Sequence, residues 1–309
     1  MPDRIVAGPD SITYNMRFHG MQRMKLATFS VNGGADELGV MDGERVISLT
    51  RAAPMLPTTM MGLIAKWDSL ARDVQQIARE AMYAHDMRAV RFRAPVPRPG
   101  KVMAIGLNYA DHIRETGAET PKDQTWFCKQ PTAVNGPFDP IQIPKASHKV
   151  DWEAELVVVI GKGGRHIPRE NARTHVFGYA CGNDVSVRDW QKRTSQWIIG
   201  KGFDTHAPFG PWITTADEVG DPHTLDIKCI VNGETRQSSN TANLVFKVED
   251  QIALLSQAMT LEPGDVIYTG TPGGVGMAMS PQVWLKSGDK CRVEIAKLGA
   301  IEAVCEAET

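Results

Sequence analysis

The sequence predicts an α+β protein that is mainly β and is divided into two unequal domains. Short apolar runs typical of strands recur along most of the chain, and one long amphipathic helix pattern falls before residue 95. A proline-rich segment then separates two regions of different character. With 309 residues, the chain is long enough for one large domain or two unequal ones. We therefore predict a small N-terminal α/β domain over residues 1–95 and a larger domain over residues 96–309.

The predicted N-terminal domain combines short strands with one helix. Alternating runs over residues 25–49 are interrupted at Gly33-Gly34 and at Asp42-Gly43, and the second pair is a hairpin turn signal. A helical stripe follows, with apolar residues at three- and four-residue steps: Ala71, Val74, Ile77, Ala78, Ala81 and Met82. Residues 1–23 are interpreted either as a disordered extension or as a start assigned too early.

The larger predicted domain begins after a linker at residues 94–100, where three prolines favour an extended chain. The apolar run at residues 156–160 predicts a buried strand. Apolar spacing over residues 248–259 predicts one amphipathic helix, and residues 266–269 predict another strand.

Composition and charge exclude several classes of protein. The formal charge is −2 without a basic tail, which argues against a nucleic-acid binder. Apolar residues make up 42% of the chain, yet the longest apolar runs are far too short to predict a membrane span. The five cysteines are odd in number and include no C-x-x-C pair, so we expect reduced thiols in a cytoplasmic protein. Residues 1–20 have no apolar core, so we expect no secretory signal.

Three carboxylates form a candidate metal site. Glu153 and Glu155 are alternate residues of a predicted strand, so their side chains should share one face. Asp184 follows the strand predicted at residues 177–182 and could complete a site for a hard divalent ion. The alternatives are that both glutamates face water on an edge strand, and that Asp184 is a turn or capping residue.

A candidate acid–base pair lies upstream. Asn108 is a good N-cap, and a helix starting there would put His112 and Glu115 on one face. Glu115 would fix the tautomer of the imidazole and raise its basicity. The alternative is an ordinary surface pair. The polar stretch over residues 117–124 makes this helix a candidate lid over bound substrate.

Cationic and polar residues supply candidate substrate contacts. Lys201 follows a mostly apolar run and could neutralise a carboxylate or a developing enolate, or could simply reach into solvent. Arg188 and Gln191 would share a face with Asp184 if the chain is helical there; alternatively Arg188 pairs with Asp184 or Asp189. The glycine-rich loop at residues 269–276 lacks a phosphate-loop pattern but could hold a small carboxylate.

Five co-linear segments resemble the fumarylacetoacetate hydrolase family, in the family's order and spacing from about Lys101 onward. They are GLNYADH at 106–112, DWEAEL at 151–156, NDVSVRD at 183–189, KGFDT at 201–205 and GDVIYTGTP at 264–272. The resemblance implies a catalytic domain of mixed β-sandwich and β-roll type, and it implies a homodimer.

The resemblance also assigns roles to individual residues. It implies that Glu153, Glu155 and Asp184 bind Mg²⁺, with Mn²⁺ or Ca²⁺ as alternatives, and that His112 and Glu115 form the catalytic dyad. Lys201 is implied to be catalytic, and Thr271 to reach the 2-oxo acid end of the substrate. Lys129 is a further candidate contact. Some larger relatives add a fourth aspartate, but no acid stands at the equivalent place near Ile105.

The function implied is metal-dependent hydrolysis of the C–C bond of a 2,4-dioxo acid of the acylpyruvate type, through a pyruvate enolate on the metal, in the breakdown of aromatic or sugar acids. The alternative is a 2-oxo diacid decarboxylase or a keto–enol isomerase that uses the same site. A catalytically silent metal-binding protein is a third interpretation, although neither the dyad nor Lys201 is missing. The expected partner is a small 2-oxo acid.

Overall fold

A computed structural model describes residues 24–117 and 119–309. The interpretations of residues 1–23, and the part of the lid prediction that concerns Ala118, lie outside the described residues.

The described residues form nineteen strands, eight helices and six short 3-10 helices. The strands are β1 (Lys25–Val31), β2 (Asp36–Asp42), β3 (Arg45–Ser48), β4 (Ala84–Asp86), β5 (Val90–Phe92), β6 (Val102–Gly106), β7 (Thr125–Lys129), β8 (Val134–Asn135), β9 (Ile141–Ile143), β10 (Val150–Asp151), β11 (Ala154–Ile160), β12 (Val176–Asn183), β13 (Ser186–Val187), β14 (Ala207–Thr215), β15 (Asp226–Val231), β16 (Glu234–Asn240), β17 (Val266–Tyr268), β18 (Lys290–Ile295) and β19 (Gly299–Ala307). The helices are α1 (Leu49–Ala52), α2 (Met60–Ala65), α3 (Trp67–Glu80), α4 (Ala110–Thr116), α5 (Arg188–Gln191), α6 (Ile198–Lys201), α7 (Ala216–Val219) and α8 (Val248–Ala258). The 3-10 helices are Met87–Ala89, Pro131–Ala133, Arg169–His175, Pro222–Thr224, Thr241–Asn243 and Gly276–Ala278.

A mixed sheet of twelve strands organises the fold. Its order is β4-β3-β2-β1-β14-β12-β11-β17-β6-β7, with β5 paired to β1 and β8 paired to β14. A second sheet has the order β16-β15-β18-β19-β9, and β10 pairs with β13. This arrangement is the predicted α+β, mainly β fold, and the two larger sheets pack as the predicted sandwich.

Strand β11 lies at the centre of the main sheet and is buried on both faces. Leu156, Val158 and Ile160 pack into one apolar core with the second sheet and α8. Val157 and Val159 point the other way, into a core shared with α2 and α3. Alternate residues of a strand project to opposite faces, so a sheet covered on both sides requires an unbroken apolar run. That requirement explains the Val-rich sequence that predicted this strand.

The N-terminal strands continue the main sheet, because β1 pairs antiparallel with β14 at Leu26 and Ile213. The predicted strands and hairpin over residues 25–49 are confirmed. The helix prediction was too long at its C-terminal end. Helix α3 ends at Glu80, Ala81 has a left-handed φ of 52°, and Met82 is exposed. The domain boundary at residues 95–96 stays a prediction.

The remaining predicted elements lie close to their expected places. The helix predicted at residues 248–259 is α8, which ends one residue earlier with an extended Met259. All five cysteines are free thiols. In the described part of the chain, every helix lacks the length or the apolarity needed to cross a membrane.

Candidate metal centre and active site

The pairing of β11 with β12 brings three acidic side chains together. The strands are antiparallel, with Ala154 opposite Asn183, and the Asp184 N–H donates to the Glu153 carbonyl oxygen at 2.9 Å. Asp184 therefore lies across from Glu153, and opposite residues of paired strands project to the same face. One carboxylate oxygen from each of Glu153, Glu155 and Asp184 lies within 4.8 Å of the other two. The predicted cluster is present.

The proposed edge-strand alternative for the glutamates is wrong. Glu153 is 5% exposed, Glu155 1% and Asp184 0%. One detail of the strand prediction is also wrong, because β11 begins at Ala154 and Glu153 lies in the short break after β10. Three buried carboxylates in mutual contact are strongly unfavourable unless cations compensate them.

Buried cations compensate two of these three acids directly. Lys201 Nζ donates to Glu153 Oε2 at 2.6 Å and to Asp184 Oδ2 at 2.7 Å. Arg188 Nη2 lies 2.7 Å from Glu153 Oε1. Lys201 therefore does not reach into solvent, and it lies against the acidic cluster as predicted.

Lys129 occupies a different place from the one predicted for it. Its ammonium is fully buried and donates to Asp184 Oδ1 at 2.6 Å and to the Val185 carbonyl oxygen at 3.1 Å. It lies behind Asp184 and does not line the site cavity. This placement does not fit a direct contact with substrate, and it makes Lys129 a positioning residue for Asp184.

Among the described residues, Glu155 is the one acid of the three that forms no ion pair. Its Oε2 accepts from the Gly270 N–H at 2.7 Å. Burial raises the pKa of Glu155, and the negative charges of Asp184 and Glu153 raise it further. By contrast, Lys201 and Arg188 outweigh the effect of burial on Glu153 and lower its pKa. The cluster thus holds an oxygen donor that ionises readily only beside an additional cation.

A charge count supports the same conclusion. Four buried carboxylates (Asp151, Glu153, Glu155 and Asp184) face three buried cations (Lys129, Arg188 and Lys201). With all seven groups ionised, one negative charge is unbalanced, which is the charge that an additional cation would compensate. The donor set consists of oxygen atoms, which hard ions such as Mg²⁺ and Mn²⁺ prefer. These residues fit a divalent metal site.

The predicted acid–base pair is formed. His112 is 7% exposed, and its Nδ1 lies 3.3 Å from Glu115 Oε2, so a surface pair is not an adequate description. The Asn108 capping prediction is wrong, since Tyr109 is the N-cap of α4. The Asn108 amide instead donates to the carbonyl oxygens of Phe246 and Thr269, which ties α4 to the loop after β17.

Backbone N–H groups of the glycine-rich loop donate to carboxylates on opposite sides of the site. The Gly274 N–H donates to both Glu115 carboxylate oxygens, at 2.9 and 3.0 Å. The N–H groups of Gly276 and Met277 donate to Asp151, whose Oδ2 also accepts from Arg188 Nε at 2.8 Å. Because the Gly270 N–H also donates to Glu155, the loop uses its free N–H groups on three protein carboxylates. Sequence reasoning assigned no role to Asp151, although it opens the DWEAEL segment.

Arg188 and Gln191 reach the site by a route that the sequence did not predict. The chain is not helical from Asp184, because β13 intervenes and α5 begins at Arg188. Arg188 pairs with Asp151 and Glu153, and it donates to Gln191 Oε1 at 3.0 Å. Gly200 permits the close packing of α5 against α6, since a Cβ there would lie 2.2 Å from the Gln191 backbone nitrogen.

Thr271 lies at the cavity wall, next to the carboxylates. Its hydroxyl donates to the Ala154 carbonyl oxygen at 3.0 Å and accepts from Gln237 Nε2 at 2.8 Å. Gln237 is fully buried, and its Oε1 accepts from the Ala154 N–H. Sequence reasoning missed Gln237, because nothing in the polar strand β16 distinguishes it from exposed neighbours.

Glu153 and Glu155 line a cavity of about 150 Å³, and Asp184 lies buried behind them. Its polar wall includes His112, Thr116, Glu153, Glu155, Arg188, Gln191, Lys192, Lys201 and Thr271, and its apolar wall includes Ile105, Leu107, Phe127, Trp197 and Met277. A larger cavity of about 720 Å³ lies beside β2 and α3 and shares no residue with this one. The chemistry therefore assigns the site to the smaller cavity. The lid over residues 117–124 stays a prediction.

His206, near the site, gives the protein a pH-dependent stability. The ring is fully buried, Nε2 donates to the Gln142 carbonyl oxygen at 2.8 Å in the neutral form, and Nδ1 has no partner among the described residues. Burial lowers its pKa from 6.5 to about 3. Below pH 6.5 His206 takes up a proton in the unfolded chain but stays neutral in the folded chain. Its contribution to the unfolding free energy is therefore present above that pH and is lost as the pH falls.

We expect His206→Asn to reduce this pH dependence. Between pH 7 and pH 5, the wild-type protein should lose about 2 kcal/mol more unfolding free energy than the variant does. Urea unfolding at both pH values measures the difference. His148→Asn, which removes an exposed imidazole, is the matched control and should behave like the wild type. Equal pH slopes for wild type and His206→Asn would refute the assignment.

Comparisons with known proteins agree with this geometry. The family model described as fumarylacetoacetate (FAA) hydrolase C-terminal matches residues 101–305. The chain is 44% identical over 289 residues to a mitochondrial oxaloacetate tautomerase of Bos taurus, which covers 92% of each chain. A mitochondrial oxaloacetate tautomerase of Homo sapiens is 46% identical over 266 residues, covering 84% of this chain and 83% of that protein.

A solved structure extends the similarity to the whole fold. The maleylpyruvate hydrolase from Sphingobium sp. SYK-6, in complex with manganese(II) and pyruvate, superposes with a TM-score of 0.78. It is 36% identical in sequence, and the match covers 93% of this chain and 100% of that one. The fold, the buried acidic cluster and these matches lead to one conclusion: the chain belongs to the fumarylacetoacetate hydrolase family.

Proposed function

We propose that this protein is a divalent-metal enzyme that interconverts the keto and enol forms of a short 2-oxo acid of the oxaloacetate type. The observation that carries the proposal is the placement of His112 and the carboxylates of Glu153 and Glu155 on one cavity of about 150 Å³. Two relatives that match most of both chains, at 44% and 46% identity, are named oxaloacetate tautomerases. They favour tautomerisation over the hydrolysis that the sequence resemblance put first.

The metal would be held by Glu153, Glu155 and Asp184, with Mg²⁺ proposed as the ion. When bound, a divalent ion supplies Lewis acidity that lowers the energy of negative charge on the 2-oxo oxygen of the substrate. Lys201, Arg188 and Lys129 compensate the charge of two of the three ligands and orient them, because each donates to or pairs with Glu153 or Asp184.

His112 would move the proton. Its Nδ1 faces Glu115, so Nε2 is the ring nitrogen left for the substrate. In the keto-to-enol direction Nε2 would take a proton from C3, the C3–H electron pair would form the C2–C3 double bond as the C2–O π pair moves onto the 2-oxo oxygen, and the imidazolium would return the proton to that oxygen. Glu115 stabilises the imidazolium formed in between and is itself fixed by the Gly274 N–H. The substrate's first carboxylate would lie near Arg188, Gln191 and Thr271.

Hydrolysis of a 2,4-dioxo acid is the second candidate function. The same dyad could activate water, and the chain is 36% identical to a maleylpyruvate hydrolase. Hydrolysis requires room for a water molecule and a longer substrate in the same small cavity. Decarboxylation of a 2-oxo diacid needs the metal but no hydrolytic water.

A three-substrate assay distinguishes these reactions. Purified protein with Mg²⁺ is given enol-oxaloacetate, keto-oxaloacetate and an acylpyruvate, and the assay follows loss of enol absorbance, formation of pyruvate, and cleavage of the C–C bond. We expect enol conversion to exceed the buffer rate by at least about 10²-fold. Rapid cleavage of the acylpyruvate with enol conversion at the buffer rate would replace the proposal with the hydrolase.

A further inference from the structure

The cations on the wall of the site cavity differ in whether an acid already pairs with them. Lys201 pairs with Glu153 and Asp184, and Arg188 pairs with Asp151 and Glu153. Lys192 lines the same cavity, yet within residues 24–117 and 119–309 it forms no ion pair. The cavity therefore has one cation whose charge no acid in the described chain neutralises.

The position of Lys192 sets it at the solvent end of the cavity. It is the C-cap of α5, with its N–H donating to the Arg188 carbonyl oxygen at 3.1 Å. Residues four apart on a helical turn lie on the same side. Arg188 is 4% exposed and contacts the carboxylate cluster, whereas Lys192 is exposed. The two cations thus form a deep and an outer position on one wall.

Charge balance indicates what the outer position is suited to bind. The buried acids and bases of the centre leave one negative charge, so a divalent ion would make the centre positive by one. A single substrate carboxylate would then neutralise it. A second carboxylate would need its own counter-charge, and the nearby walls formed by Leu107, Trp197 and Met277 are apolar. Lys192 is the cation that can supply it.

We propose that Lys192 forms a subsite for the second carboxylate of a short 2-oxo dicarboxylate. This inference rests on the proposed function and deepens it, because it names the substrate class and the residue that selects it. The ammonium attracts the distal carboxylate without contacting the reacting carbon. Lys192 therefore determines specificity and has no part in the proton transfer.

An unreactive pair of ligands tests the subsite apart from any catalysis. L-Malate and L-lactate both offer a 2-hydroxy acid to the metal, and malate adds a second carboxylate. Calorimetry on the Mg²⁺-loaded protein measures both dissociation constants. The wild type should prefer malate, and Lys192→Ala should lower that preference about tenfold by weakening malate binding alone. Lys192→Arg should retain it.

Arg193→Ala is the matched control, because it removes the adjacent cation, which stacks on Trp190 and does not line the cavity. It should leave the malate preference unchanged. A wild type without preference, a preference unaffected by Lys192→Ala, or equal losses in both alanine variants would each overturn the subsite. Lys192→Gln keeps most of the side chain's size without its charge and should lose the preference as Lys192→Ala does. Circular dichroism spectra equal to that of the wild type exclude a folding defect as the cause.

Kinetics separates this inference from the proposed reaction. Lys192→Ala should raise KM for oxaloacetate about tenfold and leave kcat near the wild-type value, because the lost interaction is the same in ground and transition states. If the wild type converts no enol-oxaloacetate but binds malate through Lys192, the subsite stands and the tautomerase proposal fails. If the wild type converts enol-oxaloacetate rapidly and Lys192→Ala changes neither KM nor malate binding, the tautomerase proposal stands and the subsite fails.

Discussion

Removal of divalent metal with a chelator is expected to lower the rate on 2-oxo acids by at least about 10²-fold, and added Mg²⁺ or Mn²⁺ should restore it. The physical reason is the unbalanced negative charge of the carboxylate cluster, in which Glu155 has no cationic partner among the described residues. Activity assays before and after chelation, with metal content measured in parallel, give the result. A chelated protein that keeps its full rate would refute the metal site.

The Glu155→Gln variant distinguishes a role of Glu155 in metal binding from a role in stabilising the fold. The amide keeps the size of the side chain and an oxygen that can accept from the Gly270 N–H, but it cannot supply the negative charge that a bound cation would require. We expect a loss of activity as large as that caused by chelation, together with a metal-free protein whose unfolding free energy is unchanged or higher. Glu170→Gln, at an exposed carboxylate, is the matched control and should change neither property.

His112→Ala is expected to lower the rate of enol conversion by about 10²–10⁴-fold, because the variant lacks the group that takes and returns the proton. Manganese binding, followed by electron paramagnetic resonance, should be unchanged, since His112 is not among the three clustered ligands. His148→Ala removes an exposed imidazole and serves as the control.

Glu115→Gln refines the same test. The amide preserves the contact with the Gly274 N–H but lowers the basicity of the imidazole, so a smaller loss than in His112→Ala is expected. A His112→Ala variant with a wild-type rate would assign proton transfer to another group. The substrate panel would then need to be repeated on both variants.

The candidate site was largely predictable where its geometry follows from local rules. Two glutamates at alternate positions point to one side of an extended chain, whatever the rest of the fold. His112 and Glu115 lie three residues apart and meet on α4, even though the helix begins at Ala110 and not at the expected cap. In both cases the side-chain spacing tolerates a shift of element boundaries by a residue or two.

The site was unpredictable where its contacts join distant parts of the chain. Lys129 reaches Asp184 across 55 positions, and Gln237 reaches Thr271 across 34. Asp151 ties Arg188 to the glycine-rich loop, and the loop in turn holds Glu115. The spacing of residue types along the sequence does not predict these pairs, because they depend on which strands become neighbours in the folded sheets.

By itself, the sequence determined the character of the fold, the buried strand at residues 156–160 and the acidic and acid–base groups, since each is encoded by the spacing of neighbouring residues. Tertiary structure alone decided which cations neutralise which acids and which one stays open to the cavity. Electrostatic partners in a buried centre are set by distance and desolvation, and both quantities exist only once separate strands have packed together.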